Sequence, residues 1–493
     1  MALYRRIVTY VRMHGGWYTL RRGWQMLSQR LLRSYDRVWQ QERTPQPELD
    51  MQRAHQPEGG LISIAVPVYN TNPVYLRELA ESLSRQTYAQ WEAVLYDGCS
   101  TNADTVAALD AIRDVRIRVI HGTENAGISG NTNLAIAACR GAYIALCDHD
   151  DTLAPDALWH IAEVIADGAP DMIYTDEDKL TEDGRLHIDP HDKPDFCPDN
   201  LRSGNYVCHL MALRREVLER AGGLRPVCDG SQDHDLALRV SEMTDRIVHI
   251  PRILYHWRRL TTSMSQKNLD RCLAAAARAV QEHMARIGYP GKCTVEDGVL
   301  RLRYDVDESL NVRTILVSDA DRYAFMNREA ASAEEDVLLF LDESVTGLTE
   351  DFIRELLMYA QRRDVGAVTP MLTDQRGRVT HAGFALRKGR AVCRNEGLPW
   401  HAGGWHGLNR TSHNVAAVSA ACFMIRRDHF IPFETDMIDW CLALSRRGYV
   451  HVYTPHARAV CEKRELLAGA CEDVHDPCYS VHHDDRGQFT HSQ

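Results

Sequence analysis

The sequence predicts an α/β fold: a mainly parallel sheet flanked by helices, followed by a second, truncated α/β module. Three observations support this prediction. The 493 residues exceed one ordinary hydrophobic core, so two or more domains are expected. After residue 60, β-rich runs alternate with helical runs, as in proteins with parallel sheets. After residue 290, the same succession of patterns returns, which indicates an internal repeat.

The overall composition excludes several classes of protein. With 44% hydrophobic and 25% charged residues, the chain is typical of a globular protein. The net charge of −11 argues against a nucleic-acid partner. Fourteen scattered cysteines without a CxxC pair indicate reduced thiols in the cytosol rather than a disulfide framework. The apolar runs are too short to span a bilayer and no signal peptide is recognisable, so a cytoplasmic location is expected.

Residues 1–45 form a basic amphipathic segment. The first forty residues contain eight arginines against one acid, Asp36, and the apolar residues from Trp17 to Val38 fall on one helical face. A cationic helix with Trp and Leu on one side predicts peripheral contact with an anionic membrane surface. Packing of that face on the protein's own body is an equal alternative. Residues 46–60 lack periodicity and contain prolines, which predicts a linker.

The first module, residues 61–290, begins with strands and helices in alternation. The runs ISIAVPV, WEAVLYD, RIRVIHG and AYIALCD predict strands, and PVYLRELAESLS and NTNLAIAACRG predict helices. Asp97 and the cluster Asp148–Asp151 each follow a strand. Because open α/β sheets bind ligands at the carboxyl ends of their strands, these acids are predicted to line one crevice. Crowded carboxylates repel one another, so the cluster is either solvated or held by a cation.

Longer blocks of this module carry a resemblance to a known family. In chain order they are ISIAVPVYN, SLSRQTYAQWEAVLYDGCST, ENAGISGNTNLAIA, GAYIALCDHDDTLAPDAL, MIYTDEDKL, GSQDHDLALR and HIPRILYHWR. Over roughly residues 60–265, the sequence resembles the bacterial family-2 glycosyltransferases of the GT-A fold. The resemblance implies a GT-A, Rossmann-like sheet and the transfer of a sugar from a nucleotide diphosphate.

The resemblance also implies roles for particular residues. Asp148-His149-Asp150 matches the DxD motif, in which Asp150 binds Mg²⁺ or Mn²⁺ at the donor's two phosphates and Asp148 helps to hold the ribose and the metal. Asp233 matches a general base that deprotonates the acceptor hydroxyl, which implies inversion at the anomeric carbon. His256 matches a histidine that in some relatives approaches the metal. The implied nucleotide contacts are Pro67, Tyr69, Asn70, Asp97, Asn125 and Asp148.

Several of these assignments have alternatives. Gly98 stands where relatives usually carry a second acid, so the donor nucleotide stays open between UDP, dTDP and GDP. The cluster Asp148–Asp151 could be a solvated loop before a helix, where Asp is favoured in any case. His256 could be a buried core histidine. The acidic run Asp176–Asp178 could line the acceptor side or form a solvated turn.

The second module, residues 291–465, follows the pattern of the first without its polar residues. The pattern of DVLLFLDESVTGLTEDFIRELLMYA follows that of AYIALCDHDDTLAPDALWHIAEVIA. Fewer residues separate this run from the first predicted strand of its module than in the first module. The residues opposite Asp148, Asp150, Asp233 and His256 are Asp342, Ser344, Met437 and Val460 or Cys461. A module without the metal ligand and the base is predicted to do no chemistry. Support of the first module, contact with the acceptor glycan and homodimerisation are its open roles, and residues 466–493 form a polar tail.

The combined prediction is a metal-dependent, inverting glycosyltransferase at the inner face of the bacterial cytoplasmic membrane. It moves a sugar from a nucleotide-linked donor to a lipid-linked or free glycan, as in the synthesis of O-antigen or another surface polysaccharide. A nucleotidyltransferase would carry a Gly-rich and basic phosphate loop near the first strand, and VPVYNTNPVYL has none. A non-catalytic glycan-binding scaffold is the remaining alternative, which the intact polar set of the first module disfavours.

Overall fold

The computed structural model describes residues 34–260, 268–318, 321–387, 389–463 and 475–480. The predicted membrane-contacting segment up to residue 33 therefore lies outside the described residues, as does most of the predicted tail. In the described part of the chain, no helix combines the length and the apolar character needed to cross a membrane.

A mainly parallel sheet forms the amino-terminal half of the chain. Its strands are β1 (Ile62–Val68), β2 (Trp91–Asp97), β3 (Ile117–His121), β4 (Tyr143–Leu146), β5 (Thr152–Leu153), β6 (Met172–Leu180), β7 (His187–His191), β8 (Met211–Arg214) and β9 (Ile247–Arg258). Their order is β3-β2-β1-β4-β8-β6-β9-β5, with β7 paired to β6. The first four strands are parallel, β6 and β9 are parallel to each other, and β8 runs antiparallel between β4 and β6. The predicted fold class is confirmed.

Helices connect these strands and cover the sheet. They are α1 (Ser34–Glu42), α2 (Gln46–Ala54), α3 (Pro73–Ser84), α4 (Ala103–Asp110), α5 (Gly127–Ala138), α6 (Ala157–Gly168), α7 (Pro198–Ser203), α8 (Arg215–Ala221), α9 (Gln232–Ser241) and α10 (Leu269–Arg286). Because helices lie on both faces, every residue of the apolar strand β1 is buried. Val68, Asp97 and His121 lie in register at the ends of three neighbouring strands, so these carboxyl ends share one edge.

The structure corrects two local predictions. Residues 46–60 are not an irregular linker, because helix α2 lies within them and buries Leu49 and Gln52. Its main polar contact is a hydrogen bond of 2.9 Å from Thr87 Oγ1 to Gln52 Oε1, and one buried leucine gives no visible periodicity. The acidic run Asp176–Asp178 is not a solvated turn, because β6 continues through it and all three side chains are buried.

The second module repeats the strand order of the first. It begins with a hairpin of β10 (Gly291–Glu296) and β11 (Val299–Tyr304). The elements that follow in chain order are β12 (Val312–Val317), α11 (Arg322–Ser332), β13 (Val337–Asp342), α12 (Phe352–Ala360), β14 (Val365–Thr373), β15 (Val379–His381), β16 (Phe384–Arg387), β17 (Arg390–Cys393), β18 (His413–Val415), β19 (Cys422–Arg426), α13 (Met437–Ser445) and β20 (Val450–Val460). The order β12-β13-β19-β14-β20 matches β1-β4-β8-β6-β9, including the antiparallel middle strand. Between the β10–β11 hairpin and β13 the described residues form one strand, β12, and one helix, α11, so the front half of this sheet is shorter than in the first module.

A buried polar network joins the two modules. Arg362, which follows α12, is fully buried and donates from Nη2 to Asp199 Oδ2 in α7 over 3.1 Å. Asn414 in β18 donates from Nδ2 to Asp199 Oδ2 over 2.9 Å and from its backbone N–H to Asn200 Oδ1 over 2.9 Å. Arg202 Nη1 adds a contact of 3.0 Å to Asp199. Because these groups satisfy one another, they fix how the two modules pack.

Candidate active site

The loops after β1 and β2 are hydrogen-bonded to each other. The Asn70 N–H donates to Ser100 Oγ over 2.9 Å, and Asn70 Oδ1 accepts from the Thr101 N–H over 2.9 Å. Asp97 is buried, accepts from the Ser100 N–H over 3.0 Å and contacts His121 Nδ1 over 2.9 Å. The hydrogen bond to Asp97 raises the pKa of His121 above its ordinary value. Two residues of the predicted nucleotide set, Asn70 and Asp97, are therefore joined by one hydrogen-bonded network.

The absent side chain of Gly98 makes room for Asn131, a residue that sequence reasoning missed. A Cβ atom on Gly98 would lie 2.3 Å from Asn131 Nδ2. Asn131 Nδ2 donates to Asn125 Oδ1 over 2.9 Å, and Asn131 Oδ1 accepts from the Ala126 N–H over 3.1 Å. Asn125, another residue of the predicted nucleotide set, is therefore joined to the loop after β2 through Asn131.

The DxD segment follows β4 and lies against the end of β1. His149 Nδ1 contacts the Pro67 carbonyl oxygen over 3.0 Å. Tyr69, two residues beyond Pro67, is 41% exposed. Parallel pairing of β1 and β4 brings these segments together, as the predicted crevice requires.

Asp151 is the buried anchor of the acidic cluster. It accepts a hydrogen bond of 2.5 Å from the Tyr255 hydroxyl and one of 2.6 Å from the Arg258 N–H. The Tyr255 oxygen accepts from the Asp148 N–H over 3.1 Å, and Arg258 Nε donates to the Asp150 carbonyl oxygen over 2.7 Å. Burial, and then the neighbouring carboxylates, raise the pKa of Asp151 well above its ordinary value. Sequence reasoning assigned Tyr255 to packing and did not single out Arg258, because the acids that they contact lie about a hundred residues away in the chain.

The carboxylates of Asp148 and Asp150 are available to an external ligand. Their oxygens and those of Asp151 lie within 4.8 Å of one another. Within the described ranges, no other residue donates a hydrogen bond to the Asp150 carboxylate, and the Asp148 carboxylate pairs with His209 Nε2 at 3.6 Å. Burial raises the pKa of Asp150. A set of carboxylate oxygens fits a hard divalent cation such as Mg²⁺ or Mn²⁺.

Asp233 lies in the first turn of α9. Asn205 Nδ2 donates to Asp233 Oδ2 over 2.7 Å, and Cys208 Sγ lies 3.6 Å from the same oxygen. Asp235 is fully buried and pairs with Arg239 at 2.8 Å, which gives it a structural role. Of the two acids, Asp233 is therefore the one placed near other polar groups of the site.

His209 connects Asp233 with the DxD segment. His209, Cys208 and Asp233 offer ligand atoms within 4.8 Å of one another, and His209 Nε2 reaches Asp148. The fully buried Lys193 holds this loop, because its Nζ donates to the His209 carbonyl oxygen over 2.5 Å. Burial lowers the pKa of His209, but Asp148 and Asp233 outweigh it, so the net shift is upward. Sequence reasoning missed His209 because nothing in its neighbourhood marks it.

His256 lies in a different cluster from Asp148 and Asp150, contrary to the expected shared site. Its Nδ1 contacts Asp178 Oδ1 over 2.6 Å, and His187 Nδ1 contacts Asp178 Oδ2 over 2.8 Å. The indole of Trp39 in α1 packs on both imidazoles, with centroids 4.7 Å and 4.6 Å away. These partners come from β6, β7 and α1, which the spacing near β9 could not reveal. A contact between His256 and a metal stays a prediction.

The equivalent strand end of the second module neutralises its charge internally. Asp342 ends β13 and accepts from the Ser344 N–H over 2.9 Å. Its carboxylate pairs with Arg322 and, at 3.6 Å, with Lys463 Nζ. Within the described ranges, the side-chain groups able to hold a metal include no residue of this module.

Comparisons with known proteins place the chain in a family. Residues 63–222 match the family model for glycosyl transferase family 2. The chain is 33% identical to the uncharacterized protein y4gI of Sinorhizobium fredii, over 81% of this chain and 52% of that protein. It is 32% identical to the O-antigen biosynthesis protein RfbC of Myxococcus xanthus, over 75% of this chain and 34% of that protein. The chain thus spans about half or less of the length of these two relatives.

A third relative is covered over most of its length. The chain is 30% identical to the glycosyltransferase GlyG of Streptococcus pneumoniae, over 50% of this chain and 85% of GlyG. The aligned part includes enough of that relative to define a family rather than a shared motif. The chain belongs to glycosyl transferase family 2.

Proposed function

We propose that this chain transfers a sugar from a nucleotide-diphosphate donor to a saccharide acceptor. The observation that carries the proposal is the pair Asp148 and Asp150, two carboxylates at the end of β4 with which no lysine or arginine of the described chain forms an ion pair. Membership of glycosyl transferase family 2 supports this reaction class. The names of two relatives, an O-antigen biosynthesis protein and a glycosyltransferase, support it further.

In this proposal Asp148 and Asp150 hold Mg²⁺ or Mn²⁺. When bound, the cation neutralises charge that develops on the departing diphosphate. Arg258 fixes the Asp150 backbone through its carbonyl oxygen, and the His209 ring restrains the Asp148 carboxylate. The connected loops that carry Asn70, Asp97 and Asn125 bind the nucleoside.

Asp233 acts as the general base in this proposal. The Asn205 amide donates to Oδ2 and leaves Oδ1 to take the proton from the acceptor hydroxyl. One base opposite the leaving diphosphate produces an in-line displacement with inversion at the anomeric carbon. Asp233 and Asp148 approach the same side chain, His209, so base and donor site are close enough to serve one reaction.

We further propose a lipid-linked or free glycan of a surface polysaccharide as the acceptor. The name of the Myxococcus relative supports this class of acceptor. The basic, amphipathic composition of residues 1–33 supports peripheral contact with the inner face of the cytoplasmic membrane.

A thermal-shift panel with UDP, GDP, dTDP and CDP, each with and without Mn²⁺, tests the donor half of the proposal. We expect one nucleotide to raise the melting temperature only when Mn²⁺ is present. The shift should vanish in Asp150→Asn and persist in Asp167→Asn, which removes an exposed acid of α6. A folded protein that responds to none of the nucleotides would favour the scaffold alternative.

A further inference from the structure

A cavity of about 380 Å³ lies between the two modules. The first module contributes Asn205, Tyr206 and Ser231 to its wall. The second module and the segment 475–480 contribute the opposite wall, which includes Arg394, Leu408, Thr411 and Tyr479. The volume lies in the range of about 300–1,000 Å³ that is usual for small-molecule sites. Neither module alone encloses this space.

A wall residue of the cavity is hydrogen-bonded to the group proposed as the base. Asn205 forms part of its wall and donates to Asp233 Oδ2 over 2.7 Å, so one side chain separates an occupant from the carboxylate. Ser231, also in the wall, directly precedes α9, whose first turn carries Asp233. A molecule seated here therefore lies next to the residues that hold and precede Asp233.

The wall has the mixed chemistry that a sugar ring requires. Thr411 supplies a hydroxyl group that can both donate and accept hydrogen bonds, and Arg394 supplies a guanidinium donor. Flat ring surfaces come from Tyr206 and from His191 with His406, whose centroids are 4.1 Å apart. Sugar hydroxyls need two-way hydrogen bonding, and the C–H faces of a pyranose pack on rings.

The position of both walls is fixed by buried contacts. Asp199 and Asn200 in α7 hydrogen-bond to Asn414, and Ser203 Oγ contacts the Ser412 carbonyl oxygen. These residues adjoin the cavity, so the two walls are connected by the same network that joins the modules. A preorganised wall loses little entropy when it binds a ligand.

We propose that this cavity binds the acceptor sugar and that the second module serves to complete it. The proposal rests on the proposed function, since it seats the acceptor glycan beside the residues that hold and precede Asp233. It assigns a substrate-binding role to a module that lacks the acids of the first.

The test blocks the cavity from the second module. Leu408→Trp fills it from the loop before β18, and Val299→Phe fills it from β11, so either variant serves if the other does not fold. Leu348→Trp is the control, because Leu348 belongs to the second module, is 42% exposed and is not part of the wall. The probes are p-nitrophenyl glycosides of glucose, galactose, N-acetylglucosamine and rhamnose, observed by saturation-transfer NMR with the full chain, Mg²⁺ and the nucleotide selected by thermal shift.

We expect saturation of the sugar protons of at least one glycoside in the unaltered chain and in Leu348→Trp. Binding should weaken by about tenfold or more in the two blocked variants, while their nucleotide-induced thermal shift stays unchanged. Equal glycoside binding in a folded, blocked variant would overturn the inference and make the cavity a packing void. Failure of every glycoside to bind a chain that still binds nucleotide would also overturn it, while the proposed function would stand. If the unaltered chain binds none of the nucleotides, the proposed function itself is refuted.

Discussion

Replacing Arg362 by leucine should destabilise the folded chain far more than the same replacement of its neighbour Arg363. Both arginines pair with an acid, Arg362 with Asp199 and Arg363 with Asp428 at 2.9 Å. The Arg362 side chain is 0% exposed, whereas the Arg363 side chain is 70% exposed. The two variants lose the same chemical group from adjacent positions, but only Arg362 is buried, and it also pairs with Asp364.

The expected loss of stability depends on the hydrogen-bond partners that Asp199 retains in the variant. Breaking a buried ion pair costs about 3–5 kcal/mol, because a charge stays buried without its partner. Arg202 and Asn414 still donate to Asp199 over 3.0 Å and 2.9 Å in the variant, so the cost should lie near the lower end, about 3 kcal/mol. Removing the exposed Arg363 should cost no more than about 0.5 kcal/mol.

The pH dependence of this difference has a definite sign. Burial would raise the pKa of Asp199, but Arg362 and Arg202 outweigh it and hold the pKa below its ordinary value. A lowered pKa contributes stability above the unfolded-state value of about 4, and this contribution disappears as the pH falls through the folded-state value. The difference between the chain and Arg362→Leu should therefore be the same at pH 8 and pH 6 and should shrink in more acidic solution.

Equilibrium unfolding in urea, followed by tryptophan fluorescence, measures both variants. The free energy of unfolding must fall with urea concentration at the same slope in each variant, so that a shift in the midpoint urea concentration reports a change in stability. Equal midpoints for Arg362→Leu and Arg363→Leu would refute the reasoning. So would a loss below about 1 kcal/mol for Arg362→Leu, since it would mean that water reaches Asp199.

Three further changes test the site. Asp233→Asn should lower kcat by about 10²–10⁴-fold in a coupled assay for nucleotide release, with the nucleotide thermal shift unchanged; a normal kcat would exclude it as the base. Because burial raises the pKa of Asp150, Mn²⁺ affinity measured by electron paramagnetic resonance should fall as the pH is lowered, starting above the range of an ordinary aspartate, and a constant affinity would contradict this assignment. Gly98→Ala should lower stability by about 1–3 kcal/mol, since its Cβ would meet Asn131, and Asn131→Ala should relieve most of that loss. Calorimetric melting of the single and double variants checks the last expectation.

The strand ends of the first module were predictable because their signal is local. Apolar runs mark β1, β2 and β4, and the rule that ligands bind at the carboxyl ends of parallel strands brings Asp97 and Asp148 to one edge. The proposed base, Asp233, needed the family resemblance, because a first-turn acid in a helix is common without any function.

The acidic stretch of β6 could not be predicted from its own sequence. Asp176, Glu177 and Asp178 suggest a solvated turn, yet each is buried. His249 lies 2.9 Å from Asp176, and Lys193 lies 3.2 Å from Glu177. Buried carboxylates need such partners, and these come from other strands and loops. Only the folded chain shows that the negative charges are compensated.

The ends of β4 and β13 occupy equivalent positions in the two modules, so one chain shows two ways in which acidic side chains at a strand end are compensated. The equivalence is geometric: Thr152 pairs with His256 in the first module, and Thr346 pairs with Val460 in the second. At the end of β13 the chain supplies its own cations to a single acid, Asp342. At the end of β4 it assembles several acids, and none of the described lysines or arginines pairs with their carboxylates. Like charges at such short range raise each other's free energy, so the proposed cation would stabilise the acids at the end of β4, whereas Asp342 at the end of β13 already has its cationic partners.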